Sequence, residues 1–366
     1  MDTYQSRFNK VIKNMEKKSV DFLFLFPSAN MYYLTGFWPQ PEDRAIFSIL
    51  SNKGDSFFIA PEMYEGQILK HTWIKDVKIW KTKVDFERVF DELVKEFKMH
   101  KANIAIEDRT WADFIIRIQN KIPNSKISLA SNLIKDLRIR KTTEEIMFMK
   151  KAGTLAEEII KKITENLDIG ISELEISGLI EYEARKKGSK RMAFDTITSF
   201  GQNSANPHNE PSEKKLRQGD IVMIDFGPRC NGYCSDITRT IFKGKPTKKA
   251  ESIFKIVAEA HDRAASAIKP GIKASELDKL ARGAIRKYGL DKFFIHGTGH
   301  GLGLDIHEEP YIKKDSSIKL DEGMTFTIEP GIYLPNEFGI RIESSYLVID
   351  DGYDSLTSNP RDFIFV

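Results

Sequence analysis

Four carboxylates and one histidine in this 366-residue chain stand in settings that suit metal ligation. Asp225 closes the apolar run Ile221-Val222-Met223-Ile224-Asp225-Phe226-Gly227, where an uncompensated carboxylate would be costly. Asp236 follows in Tyr233-Cys234-Ser235-Asp236-Ile237-Thr238, and the turn-forming stretch Pro228-Arg229-Cys230-Asn231-Gly232 lies between. An antiparallel hairpin there would let both acids face one spot. The pattern recurs downstream. Thr325-Phe326-Thr327-Ile328-Glu329 and Ile340-Arg341-Ile342-Glu343-Ser344 both alternate polar and apolar residues. Strand periodicity puts Thr325, Thr327 and Glu329 on one face, and Arg341 with Glu343 likewise. Pro330-Gly331 and Asn336 to Gly339 supply the turn region between them. His300 sits in the segment from His296 to Pro310, which holds three of the seven histidines. Its interleaved glycines allow close backbone approach.

Four carboxylates and one imidazole make an oxygen-rich set that two divalent ions could share. Such a set suits manganese or cobalt, with zinc or iron as further possibilities, better than a thiolate site would. A pair of ions about 3.5–4 Å apart can activate water and polarise a carbonyl. Taken singly, each residue has a plainer reading. Asp236 alone is a turn cap, His300 alone a hydrogen-bonded histidine, and Glu343 half of an ion pair with Arg341. The combination, in order and spacing, favours the metal centre.

The elements that must position this set lie in a β-rich C-terminal part. A helix opening at Thr143-Glu144-Glu145 is predicted to run to about residue 166, with acids first and Lys161-Lys162 late, as the helix dipole prefers. Further helices are predicted at 172–187, 248–268 and 274–287, with short strands between and after them. This mixture is α+β. The first third alternates elements: a helix at 4–18, a strand at 20–26, turn material at Pro27-Ser28-Ala29-Asn30, and a hairpin of 45–50 with 56–60. A helix at 86–97, a strand at 102–107 and a helix at 111–121 follow, an α/β layer. The aromatic positions from Tyr32 to Phe47 read as core or interface. A domain boundary is expected at Ser131-Asn132, giving domains 1–131 and 132–366.

Composition sets limits. The 56 basic and 53 acidic residues nearly cancel, so no nucleic-acid partner is expected. The apolar run Phe22 to Phe26 is far short of the about 20 residues that span a bilayer. Acidic and polar residues open the chain, with no apolar leader after them. Cys230 and Cys234 read as ordinary hairpin thiols rather than a zinc site. A cytoplasmic protein without membrane attachment is expected.

The ordered strings Asp225-Phe226-Gly227, Gly232 to Thr240, His300-Gly301-Leu302-Gly303-Leu304-Asp305-Ile306-His307-Glu308, Ile328-Glu329-Pro330-Gly331 and Arg341-Ile342-Glu343 resemble the Xaa-Pro peptidases, prolidase and aminopeptidase P. The likeness is strong over about residues 135–366 and looser before. It implies a ribonuclease-H-like α/β N-terminal domain of creatinase type, a pita-bread C-terminal catalytic domain with pseudo-twofold symmetry, and a homodimer. Carried over by motif, Asp225 would chelate one ion, His300 and Glu329 the other, and Asp236 and Glu343 would bridge. Glu329 would also serve as general base and acid. His208, in Asn206-Pro207-His208-Asn209, matches a substrate-side histidine, and His307 one near the substrate carbonyl. The implied substrate is an Xaa-Pro di- or oligopeptide, cut before proline.

Two positions depart from the pattern. Tyr311 stands where many dipeptidases of the family carry a basic residue for the substrate carboxylate, with Lys313 and Lys314 just beyond, so longer Xaa-Pro peptides are open to it. Ser344 follows Glu343 where relatives often have Asp, a change confined to the support around the ligands. A methionine-type aminopeptidase and a non-catalytic peptide- or protein-binding member are the alternatives on the same fold. The complete ligand set favours catalysis over both.

Overall fold

A computed structural model describes residues 2–358 and 364–366. The chain divides into two compact units, Met1–Arg138 and Ile139–Val366. The helix Ser131–Arg138, which opens at the boundary expected from the sequence, is grouped with the first unit. Among the described residues no helix is long and apolar enough to cross a membrane.

The first unit is built on a six-stranded mixed sheet in the order Val77–Trp80, Ser56–Pro61, Phe47–Ser51, Phe22–Leu25, Asn103–Ile106, Lys126–Leu129. The expected hairpin is present, with Phe47 opposite Ile59 and Leu50 opposite Ser56. The predicted helices appear as Asp2–Lys17, Lys83–Glu96 and Ala112–Lys121. Thr82 and Asp85 cap the second reciprocally, each side chain accepting from the other's backbone N–H. Phe24, Phe26, Phe47 and Phe114 interlock on one face of the sheet, so these aromatics are core. One reading needs correction: Ser28-Ala29-Asn30 is no plain turn. Ser28 caps a helix, Ala29–Thr35, by accepting from Met31 N–H, and Gly36 ends it at φ 83°, a conformation glycine adopts without strain.

Glu107 is the electrostatic oddity of this unit. It is 4% exposed, and Ser28 and Asn30 donate to its two carboxylate oxygens at 2.8 and 3.2 Å. Burial outweighs these hydrogen bonds and pushes its pKa up to about 7. The folded state therefore holds a proton that the unfolded chain has released. The resulting stability is full below the unfolded pKa and disappears as pH rises through 7. We expect the first unit to lose about 2 kcal/mol between pH 5 and pH 8 through this group. In Glu107→Gln, the difference between denaturant midpoints at the two pH values should shrink by that amount. An unchanged difference would remove Glu107 as the source.

The second unit consists of two similar halves. In one, the helices Thr143–Thr164 and Glu173–Lys186 cover the sheet of Ile364–Phe365, Ile237–Phe242, Ile221–Phe226 and Ile197–Phe200. Ile159, Ile163, Ile176 and Ile180 meet Val222, Ile224 and Ile241. In the other, Lys248–Ala265 and Ala274–Arg286 cover the sheet of Glu308–Ile312, Gly299–Gly301, Thr325–Ile328, Ser344–Ile349 and Gly352–Ser355. Here Val257, Ala260, Leu277 and Ala281 meet Phe326, Ile328 and Val348. Repetition of a helix pair on a curved sheet is the pita-bread arrangement.

Candidate metal centre

The register of four strands builds the site. Ile221–Phe226 runs antiparallel to Ile237–Phe242, with Asp225 opposite Thr238. Strand alternation puts Asp236 on the same face as Thr238, so both acids converge as the hairpin reading expected. Thr325–Ile328 pairs with Ser344–Ile349, Ile328 opposite Ser344, and the next residues outward are Glu329 and Glu343. Glu343 then bridges to the first half. Its N–H donates to Thr238 O at 3.3 Å, and Thr238 Oγ1 donates to Glu343 Oε2 at 2.6 Å. His300 is the middle residue of Gly299–Gly301. A Cβ on Gly299 would lie 1.9 Å from Thr327 O, and one on Gly301 2.4 Å from Glu309 O, so only glycines let this strand seat. Arg282 steadies the approach by donating to Phe294 O and His296 O, each at 2.8 Å.

All five expected ligands, together with His208, His307 and Arg341, line one cavity of about 610 Å³. Ligand atoms of Asp236, His300 and Glu343 lie within 4.8 Å of one another. His300 Nε2 is 3.5 Å from Asp236 Oδ2 and 3.3 Å from Glu329 Oε1. Arg341 does not pair with Glu343. It donates to Asp225 Oδ2 at 2.5 Å and, through Nε, to Thr238 Oγ1 at 2.9 Å. The plain ion-pair reading of Glu343 is thereby removed.

The electrostatics call for cations. Burial raises the carboxyl pKa of Asp236 and Glu343 well above the usual range, and the charges of the neighbouring acids push the same way. Burial also raises that of Glu329, against the pull of His296 and Arg341. Burial lowers His300 to about 4. Its Nδ1 lies 3.2 Å from Gly301 O, so Nδ1 carries the proton and Nε2 presents a lone pair to two carboxylates. Asp225 Oδ1 and Asp236 Oδ1 are buried and have no hydrogen-bond partner. Convergent lone pairs and unsatisfied oxygens of this kind are stable when divalent ions sit among them. The donor set therefore fits two hard or borderline ions.

Sequence reasoning missed a second network. Arg341 Nη1 donates to Tyr333 Oη at 2.7 Å, and Tyr333 Oη lies 2.9 Å from His296 Nε2. Arg341 can only donate, so the tyrosine proton goes to His296 Nε2, and His296 Nδ1–H goes to Gly297 O at 2.7 Å. His296 is thus held neutral, and burial lowers its pKa as well. Its place four residues before His300 in the glycine-rich segment was the available signal. Also missed was Lys141, a buried lysine that donates to Glu308 Oε1 at 2.7 Å and pins the residue after His307. His307 meets His300 edge-on, ring centres 4.3 Å apart, and both His307 and His208 are exposed. Cys230 and Cys234 lie on a small hairpin, where Cys230 pairs with Tyr233 and Cys234 with Arg229, and Cys234 Sγ donates to Leu304 O at 3.7 Å.

Comparison with known proteins agrees with this geometry. Residues 147–350 match the description of Metallopeptidase family M24, and residues 7–140 match the Creatinase/Prolidase N-terminal domain. The chain is 36% identical over 360 residues to a Xaa-Pro dipeptidase of Pyrococcus furiosus, covering 98% of this chain and 100% of that one. A prolidase structure from Thermococcus sibiricus superposes with a TM-score of 0.96 at 36% identity, covering 99% of each chain. An X-Pro aminopeptidase structure from Thermotoga maritima superposes with a TM-score of 0.88 at 32% identity, over 98% of this chain and 99% of that one. With its five candidate ligands lining one cavity of a pita-bread scaffold, the chain belongs to metallopeptidase family M24 and carries the creatinase/prolidase-type N-terminal domain.

Proposed function

We propose that this protein hydrolyses the peptide bond between an N-terminal residue and proline in Xaa-Pro peptides. The observation that carries the reading is His300 Nε2 turned toward the carboxylates of Asp236 and Glu329 in a buried cavity. Names borne by relatives over nearly the full chain support the substrate class. Asp225 would hold one ion and His300 with Glu329 the other, while Asp236 and Glu343 would serve both. Bound there, manganese or cobalt supplies Lewis acidity that acidifies a water and polarises the scissile carbonyl.

The remaining steps fall to side chains. Glu329 takes a proton from the attacking water and delivers it to the proline nitrogen as the C–N bond breaks. The water oxygen becomes part of the new carboxylate. A prolyl amide has no N–H to grip, so a site that acts through the carbonyl suits it. His208 and His307, both on the cavity wall, orient that carbonyl and donate to the developing negative charge. Arg341 fixes Asp225, and Thr238 fixes Glu343. The same reading includes a homodimer in the cytoplasm, where both cysteines remain thiols.

Metal-stripped protein resupplied with manganese or cobalt should cleave a Xaa-Pro dipeptide or a Xaa-Pro-Xaa tripeptide. Release of free amino acid, followed by chromatography, reads the result. Cleavage of methionyl peptides in place of both would overturn the substrate class.

A further inference from the structure

The strand that carries His300 is three residues long and irregular. Gly299 pairs with Ile312 and Gly301 with Glu308, with a shift of register between them, and on the other side Gly301 pairs with Phe326. Glycines flank His300 on both sides and give the segment little stiffness of its own. The helix Ala274–Arg286 supplies support from behind. Asp278, on its inner face, is 1% exposed. A carboxylate so buried needs charge and hydrogen-bond partners. Arg282, one helical turn on, donates to it through Nε at 3.3 Å and Nη2 at 3.1 Å. Thr298, fully buried, donates through Oγ1 at 2.9 Å. Arg282 also holds Phe294 O and His296 O and lies 4.2 Å from the Phe294 ring centre. One carboxylate and one guanidinium thus grip the chain at 294, 296 and 298, through bonds strengthened by charge.

The grip reaches the expected ligands through the backbone. Thr298 O accepts the N–H of Glu329 at 2.8 Å, and Thr298 N–H donates to Ile312 O at 2.8 Å. His300 N–H donates to Thr327 Oγ1 at 3.1 Å, and the same hydroxyl donates to Glu329 Oε1 at 3.2 Å. Asp278, Arg282 and Thr298 stand behind the cavity wall and not on it, so they do not touch substrate. Asp225 sits on the hairpin of the other half, which this bracket does not join. We propose that Asp278, Arg282 and Thr298 are positioning residues for His300 and Glu329. They set the affinity of the ion that these two ligands share and leave the ion at Asp225 largely alone. This rests on the two-ion reading above.

The test is calorimetric titration of manganese into the metal-free protein. The wild type should take up two ions. Thr298→Val keeps the shape and deletes the hydroxyl. In it one ion should bind about 10–100-fold more weakly, the range for losing a group that orients a ligand, and the other as in the wild type. Thr298→Ser keeps the hydroxyl and should restore both. Hydrogen exchange on the metal-free proteins gives a second readout: the Glu329 amide should exchange faster in the valine variant, with little change in melting temperature. Xaa-Pro cleavage by Thr298→Val should be low at limiting manganese and recover in excess, which a damaged fold would not do. Asp278→Asn keeps the size but gives up the charge. It should weaken the same ion, and it decides the matter if the valine variant does not fold. Wild-type affinity for both ions in these variants, or equal weakening of both, overturns the positioning role and leaves the Xaa-Pro reading standing. Uptake of fewer than two ions by the wild type overturns the two-ion reading, and this proposal with it.

Discussion

Alanine in place of Asp236 should stop turnover and leave the protein folded. Asp236 is 3% exposed, flanked by three other acids, and has one carboxylate oxygen without a partner. In the metal-free chain it contributes burial cost and repulsion, so removing it relieves strain instead of creating it. The metal-stripped variant should therefore melt at or above the temperature of metal-stripped wild type. Adding manganese should raise the wild-type midpoint by several degrees and the variant's far less. With its shared ligand gone, kcat/KM should fall by roughly 10⁴-fold or more, because water activation and charge stabilisation are lost together. Elemental analysis and a peptide assay on the same sample decide it. Activity within tenfold of wild type at unchanged metal content would remove Asp236 from the ligand set.

Glutamine at position 329 should separate metal retention from proton transfer. The amide oxygen can still accept from Thr327 Oγ1, which donates to Glu329 Oε1 at 3.2 Å, and the backbone N–H still bonds Thr298 O at 2.8 Å. The side chain stays in place and some metal remains bound, yet no group is left to move a proton between water and the proline nitrogen. Turnover should fall by about 10²–10⁴-fold, the range for a lost general base. The acidic limb of the pH–rate profile should flatten too. Turnover within tenfold of wild type would mean that another group carries the proton.

What could be read from the sequence was what the chain encodes locally. The helix Thr143–Thr164 announces itself through Thr142 and Glu145, which form a capping box, and through acids early and lysines late. The hairpin that brings Asp225 to Asp236 follows from an apolar run, a turn and a second run. Other elements carry weaker signals. Lys126–Leu129 is a mostly exposed edge strand without apolar alternation, and Ser28 looks like turn chemistry until its oxygen is seen to cap Met31. In the site, the motifs pointed to the five proposed ligands and to Arg341 beside them, but the pairings that orient them span long stretches of sequence. Arg341 reaches Asp225 across 116 positions, and Lys141 reaches Glu308 across 167. Such pairings come from the packing of the sheets, which no local pattern records.

The bridge between Thr238 and Glu343 joins the two halves of the catalytic unit where their acids meet. Asp225 and Asp236 belong to one half, and His300, Glu329 and Glu343 to the other. Each half can bury its own apolar face under its own helix pair, but neither owns a complete set of ligands. Divalent ions held by the proposed ligands would act as a rivet at this seam, their affinity spent partly on holding like-charged edges together. Metal scarcity would then cost this protein more than activity. It would loosen the joint itself, expose the seam strands to proteolysis, and make the lifetime of the chain a function of the metal supplied to it.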